Sequence, residues 1–368
     1  KYFMRYYELK EEKLSAKLKH GSTRGHLGEY LLGAAVVAKM VIGNKDITAD
    51  QVKAVIRRTS ATKDLSLTLM SDEGDSIAFK NIISNQKNID DAKDVDALVD
   101  YMSQELAGAV KFANGDIYAK KWAKVFYENG KPDRVEVKAA GEEDQKGTKA
   151  DIFLIYKQSD GSERIIKGWS LKTGSSLIGQ ASPKTFKNMQ VFFKELGVTL
   201  TPIDDYESQP EKHVISVMQQ VSNDLNKLTA GDDSNKEMSL VKNVAGFMDE
   251  HLTKRDPRVY IVNLGKGDYT AQTMRVMRKN LANINLETSV KLSGRPTLYV
   301  HEIGKQNNFI FMIRYTYTTP KVRDNGTTRA GRHKLVVETG PLFKSLATIS
   351  SKDAGQDPAA DPTPINTP

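Results

Sequence analysis

One stretch constrains the chain more than any other: residues 149–180, KADIFLIYKQSDGSERIIKGWSLKTGSSLIGQ. Two β-rich runs, 152–156 and 165–172, flank Asp160-Gly161. That dipeptide suits a hairpin turn, because Gly accepts positive φ and Asp can bond its own backbone. A two-residue loop sets Ser159 opposite Ser162, so facing residue numbers sum to 321. Asp151 then faces Ser170, and Lys172, two residues on, shares the face of Ser170. Facing Cβ atoms on antiparallel strands lie about 5 Å apart. An acid, a hydroxyl and an ammonium group are thereby expected on one patch. A three-residue loop would change the sum by one and send Asp151 to the face opposite Lys172.

An Asp opening one strand and an x-Lys pair closing the next, with KADI followed by SLKTG and then a Gln, resembles the core motif of the PD-(D/E)XK, restriction-endonuclease-like nuclease superfamily. The resemblance is at the level of the motif and lies in the first half of the chain. It implies an α/β (α+β) protein with an αββαβ core, a helical N-terminal flank and a C-terminal α/β region. In that family the Asp binds a divalent metal, and the Lys helps activate water and offsets charge at the phosphate. Asp151 is therefore expected to ligate Mg²⁺ (or Mn²⁺), and Lys172 to be catalytic. Ser170 stands where the family usually has Glu or Asp. A hydroxyl is a poor metal ligand but can hold a metal-bound water, and the neighbouring Leu171 carbonyl is a hard-oxygen donor. The compensating carboxylate is expected from Glu29, on a helix before the sheet, or from Glu136, on the strand before Asp151. Gln180, placed in a loop entering the next helix, is a candidate to bond phosphate or position water. The implied activity is metal-dependent hydrolysis of DNA phosphodiesters, of restriction, defence, phage or mobile-element type. The alternative that Ser170 raises is a nuclease-fold protein that binds nucleic acid with little or no catalysis.

Composition narrows the classes. A chain of 368 residues can bury a large core and is expected to form two domains. The net charge of +8 fits a polyanionic partner, with double-stranded DNA first, although ordinary solubility charge has the same sign. With no cysteine, disulfides, thiol catalysis and cysteine-based zinc sites are excluded. A reducing, cytoplasmic home is expected, with phage encoding among the sources the resemblance implies. No His pair has metal-binding HxxxH spacing. The apolar run 30–38 is far short of the about 20 residues that span a bilayer, so no membrane partner is expected. The acids in KYFMRYYELKEEK argue against a signal peptide. A homodimer is compatible with these features.

The pattern along the chain gives four regions: a mainly helical 1–130, a core hairpin with its following helix at 131–200, a helical and α/β region at 201–348, and a disordered tail at 349–368, rich in Pro, Asp and Ala. Thr48 and Gln51 have capping-box spacing. Ser182-Pro183 is expected to open a helix, and 269–281 reads as a basic helix. The loop KVRDNGTTRAGRHK, between strands that carry Tyr315 and Tyr317, places Arg323, Arg329, Arg332 and Lys334 as nucleic-acid contacts.

Overall fold

The computed structural model describes residues 21–42, 45–61, 66–70, 76–80, 99–100, 102–116, 119–120, 134–139, 150–157, 163–173, 177–229, 234–256, 259–318, 321–322, 328–329 and 331–349. It is a mixed α/β chain of two compact units: residues 1–175, 256–271 and 349–368 form one, and 176–255 with 272–348 the other. These limits differ from the linear regions read from the sequence, because the second unit is interrupted by a returning segment of the first.

The first unit contains helices α1 (Gly21–Ile42), α2 (Ala49–Ala61) and α3 (Ser103–Gly115). Its strands are β1 (Ser66–Met70), β2 (Ser76–Lys80), β3 (Arg134–Ala139), β4 (Ile152–Lys157), β5 (Glu163–Thr173), β7 (Val259–Gly265) and β8 (Asp268–Gln272). They form one sheet in the order β1-β2-β3-β4-β5-β7-β8. Strands β3, β4 and β5 are antiparallel neighbours, and β7 lies parallel to β5. The turn from β7 to β8 is Lys266-Gly267, both with positive φ (53° and 71°), which suits a tight two-residue hairpin. Ile152, Trp169, Leu171, Tyr260, Val262 and Leu264 face the helices and join one apolar cluster with Leu31–Ala38 of α1 and Phe112 of α3. The α1 sequence is rich in small residues, which lets it lie close on the sheet. Thr48 and Gln51 form the expected capping box: Thr48 N–H donates to Gln51 Oε1 at 2.8 Å, and Gln51 N–H to Thr48 Oγ1 at 3.3 Å.

The second unit opens with β6 (Leu177–Ala181) and helices α4 (Phe186–Lys194), α5 (Pro210–Thr229) and α6 (Ser234–Thr253). After the returning segment come α7 (Met274–Leu281), β9 (Leu286–Lys291), β10 (Thr297–Glu302) and β11 (Lys305–Thr318). The ribbon β12 (Lys321–Val322) and β13 (Thr328–Arg329), then β14 (Arg332–Thr339) and α8 (Pro341–Ala347), complete it. Its sheet has the order β6-β14-β11-β10-β9, and its pairings are antiparallel. Phe247 of α6 packs on Phe311 of β11, ring centroids 5.0 Å apart, at the centre of this core.

Several expectations are corrected. Within the region expected to be mainly helical, residues 66–70 and 76–80 form an antiparallel strand pair. The helix after the hairpin begins at Phe186 and is capped by Thr185, whose hydroxyl accepts from Asn188 N–H at 3.2 Å. Pro183 is instead buried, and its carbonyl accepts the Tyr206 hydroxyl at 2.8 Å. Residues 268–272 are strand, and the basic helix starts only at Met274. The proposed tail lies outside the described residues except for Ile349, whose N–H donates to the Ala271 carbonyl at 2.9 Å.

Candidate functional site

The hairpin of β4 and β5 carries the residues singled out by the sequence. Next to the turn, Lys157 pairs with Glu163 and Ile155 with Ile165, so facing numbers sum to 320, not 321. The expected two-residue turn at Asp160-Gly161 itself lies outside the described residues. Between Leu154 and Ile155 the register shifts, because Ile166 is inserted on β5 as a bulge. Beyond it Leu154 pairs with Lys167 and Ile152 with Trp169, which restores the sum of 321. The bulge thus sets the register at the end that matters.

At that end Asp151 follows the ladder through its own N–H, which donates to the Trp169 carbonyl at 2.8 Å. Its carboxylate turns onto the next strand. Oδ2 accepts the Leu171 N–H at 2.6 Å and, at a longer 3.3 Å, the Ser170 hydroxyl. Asp151 precedes the first residue of β4, so its side chain serves the Leu171 N–H where the backbone ladder ends. Ser170 is 1 % exposed, and Asp151 and Lys172 are half-buried. Lys172 pairs with Asn263 of β7. Strand alternation puts Ser170 and Lys172 on one face of β5, while Trp169 and Leu171 take the helix-covered face.

The other candidates fall in different places. Glu136 pairs with Ile155, four residues along β4 from Asp151, or about 13 Å of strand at ~3.3 Å per residue. The backbone register therefore does not set it beside Asp151. Glu29 is buried on α1, which packs against β3 and β5 over the face that carries Trp169 and Leu171. Gln180 is not in a loop. It lies on β6 in the second unit, opposite Val336, and its Oε1 accepts from Lys334 Nζ at 2.7 Å. Arg332 is exposed at the start of β14, and the backbone of Arg329 pairs with Lys321 in the β12–β13 ribbon. Arg323 lies outside the described residues.

A divalent cation such as Mg²⁺ takes several oxygen ligands. Asp151 and the Leu171 carbonyl are donors of the right chemical type. Among the described residues no group of three or more His, Cys, Asp or Glu side chains could hold a metal ion. The described donors therefore fit such an ion only in part. Also among the described residues, no helix is long and apolar enough to cross a membrane.

The sequence reading missed an aromatic row in the second unit. Tyr315, His333 and Tyr317 lie side by side on β11 and β14, with the Tyr315 hydroxyl hydrogen-bonded to His333 Nδ1. The signal was present as two tyrosines at strand spacing, but their partner strand could not be read from spacing alone. No family model, curated protein or solved structure matches the chain.

Proposed function

We propose that the chain is a metal-dependent DNA endonuclease of the PD-(D/E)XK type, with its site at the Asp151 end of β4 and β5. The observation that carries the reading is the Asp151 carboxylate on Ser170 and Leu171, the two residues that precede Lys172 on the adjoining strand. The parallel pairing of β7 with β5, after a connection that holds β6 and helices α4 to α6, supports an αββαβ arrangement. A bound Mg²⁺ would supply Lewis-acid activation of water and of the phosphate. Asp151 and the Leu171 carbonyl are the residues proposed to hold it. The Lys172 ammonium would stabilise negative charge that develops on the phosphate oxygens. Ser170 would orient Asp151. Gln180 leaves the catalytic set, because its amide oxygen already accepts Lys334, and joins Arg332 and Lys334 as part of a basic strand surface.

The test is incubation of the full chain with plasmid and linear DNA in Mg²⁺, Mn²⁺ or EDTA. Cleavage should require the ion and fall at least a hundredfold in Asp151→Asn and Lys172→Ala. Cutting that persists undiminished in both variants would remove the assigned site. A second reading is a nuclease-fold protein that binds nucleic acid without cutting it. It is favoured by Ser170, a neutral group where the family carries an acid. Salt-sensitive DNA retention without cleavage under any of these ions would select it.

A further inference from the structure

Strand β9 is an edge of the second unit's sheet, and one of its faces carries a chain of polar groups that the proposed DNA hydrolysis does not use. Thr288 takes the helical side, where its hydroxyl meets Ser222 Oγ of α5 at 2.8 Å. Its neighbours Glu287 and Ser289 therefore take the other face. There Ser289 pairs with Tyr299 of β10, and Glu287 pairs with His301. Ser289 Oγ lies 2.9 Å from His301 Nε2, and the side-chain amide of Gln306 donates to that Oγ at 3.0 Å. The other ring nitrogen, Nδ1, lies 2.9 Å from the Glu302 carbonyl oxygen and 3.6 Å from Glu287 Oε1.

These neighbours fix the protons. A carbonyl oxygen can only accept, so His301 Nδ1 carries a hydrogen and donates it to Glu302. In the neutral ring Nε2 then holds a lone pair and accepts the Ser289 hydroxyl. With its hydrogen so used, Ser289 Oγ is left to accept the Gln306 N–H. That tautomer is the one a base needs to take a proton from serine: an N–H held from behind and a lone pair on the hydroxyl. Glu287 is itself held by the Gly304 N–H at 2.8 Å, and its carboxylate favours the imidazolium that proton transfer creates. His301 is 3 % exposed, whereas Ser289 is half-buried on the edge strand. The base is thus fixed within the sheet and the nucleophile stands where a substrate can reach it. Beside them Tyr299 and Phe309, both half-buried, have ring centroids 5.4 Å apart and offer an apolar surface.

We infer that Ser289 is a nucleophile with His301 as its general base, and that this edge of the second unit hydrolyses carboxylic esters with an apolar acyl group. Ser289 Oγ bonds the carbonyl carbon while its proton passes to His301 Nε2. The carbonyl oxygen gathers negative charge beside the Gln306 N–H, and one neutral donor suits the single oxyanion of an acyl intermediate. The ester C–O bond then breaks, and the leaving alkoxide takes the proton from Nε2. Water repeats the cycle on the acylated Ser289: its proton goes to Nε2, its oxygen bonds the acyl carbon, and Ser289 leaves and regains the proton. No metal enters these steps, so the activity is independent of the Asp151 site. A network that only braces β9 against β10 is the competing account.

The experiment treats the full chain, in EDTA, with a fluorophosphonate, which a base-activated serine attacks with loss of fluoride. Peptide mapping by mass spectrometry should place the adduct on Ser289, and the adduct should be absent when the chain is heat-denatured first. p-Nitrophenyl butyrate should be hydrolysed, with activity lost in Ser289→Ala and reduced at least a hundredfold in His301→Gln. Gln306→Ala should lower kcat about tenfold or more with KM little changed, a split that strand bracing does not produce. Thermal melts establish that each variant is folded, and mapping of the adduct on the unaltered chain needs no variant. No adduct, an adduct on another residue, or hydrolysis unchanged in folded Ser289→Ala overturns the assignment in favour of the brace.

Discussion

At the scale of single residues, Asp151 Oδ2 both closes the ladder at Leu171 and receives the Ser170 hydroxyl. Removing that oxygen leaves a buried N–H without its acceptor, at a cost of about 1–3 kcal/mol. Asp151→Ala should therefore lower the unfolding midpoint in urea. Asp151→Asn keeps a carbonyl oxygen in the same position and should cost less than half as much, which makes it the cleaner probe of chemistry. Equal destabilisation by both would mean that Leu171 does not depend on this oxygen. A second residue-scale effect concerns Tyr269, whose pKa is pushed up to about 12, mainly by burial, with Asp116 and Asp268 adding to the rise. An unfolded tyrosine ionises near ~10. The folded chain holds a proton that the unfolded chain releases, so the stabilisation is complete below about 10 and is lost as pH climbs towards about 12. Urea titrations at pH 8, 10 and 11 should show a shallower alkaline decline in Tyr269→Phe, and an identical slope would exclude this residue as a cause.

At the scale of elements, the hairpin shows how register is stored. Deleting Ile166 leaves Ile155 opposite Ile165 and Leu154 opposite Lys167, so the ladder becomes regular and every other pair survives. The deletion should keep a cooperative melt and leave Asp151 at Ser170. Inserting one glycine after Gly168 instead moves Trp169 off its partner and turns its buried side chain to the wrong face, so that variant should lose cooperative unfolding. Near-ultraviolet circular dichroism of the two variants checks both outcomes. The same hairpin shows what the sequence could and could not reveal. The Asp151–Ser170 pairing was legible because an acid and a hydroxyl sat at matched distances from a turn signal. The bulge was not, because an inserted residue leaves no mark in residue spacing. Residues 66–80 were overlooked although Ser66–Met70 and Ser76–Lys80 are five-residue runs around a Gly-containing polar segment, a short-range strand signal. Gln180 was misplaced for a different reason. Its strand partner, β14, lies about 150 residues away, and its hydrogen bond to Lys334 spans 154 positions. Local spacing carries no information about such a pairing.

At the scale of the whole molecule, the chain crosses between its units after residues 175, 255, 271 and 348. Composition gave little sign of these crossings: a short Gly-Ser run, 174–176, lies at the first, and no Pro- or Gly-rich linker marks the others. The consequence is that the candidate site cannot be isolated by a single cut. Residues 1–200 contain Asp151, Ser170 and Lys172 but lack β7, which pairs with β5 from Gly168 to Thr173. Tyr260, Val262 and Leu264 of β7 are each at most 2 % exposed and share the apolar cluster of Trp169 and Leu171. Burying each such side chain contributes about 1.5–3 kcal/mol. The three together amount to roughly 5–9 kcal/mol, which is comparable to the whole stability of a typical domain, about 5–15 kcal/mol. Losing β7 also exposes one edge of β5 along the residues that carry the site. Fragment 1–200 should accordingly show no cooperative melt and a red-shifted tryptophan emission, because Trp169 is no longer buried. Fragment 1–271 restores β7 and β8 and should recover both the cooperative transition and the blue-shifted emission. A cooperative melt with buried tryptophan in fragment 1–200 would show that the site end of β5 stands without β7, and that the seven-stranded sheet is not the unit that holds Asp151 and Lys172 in place.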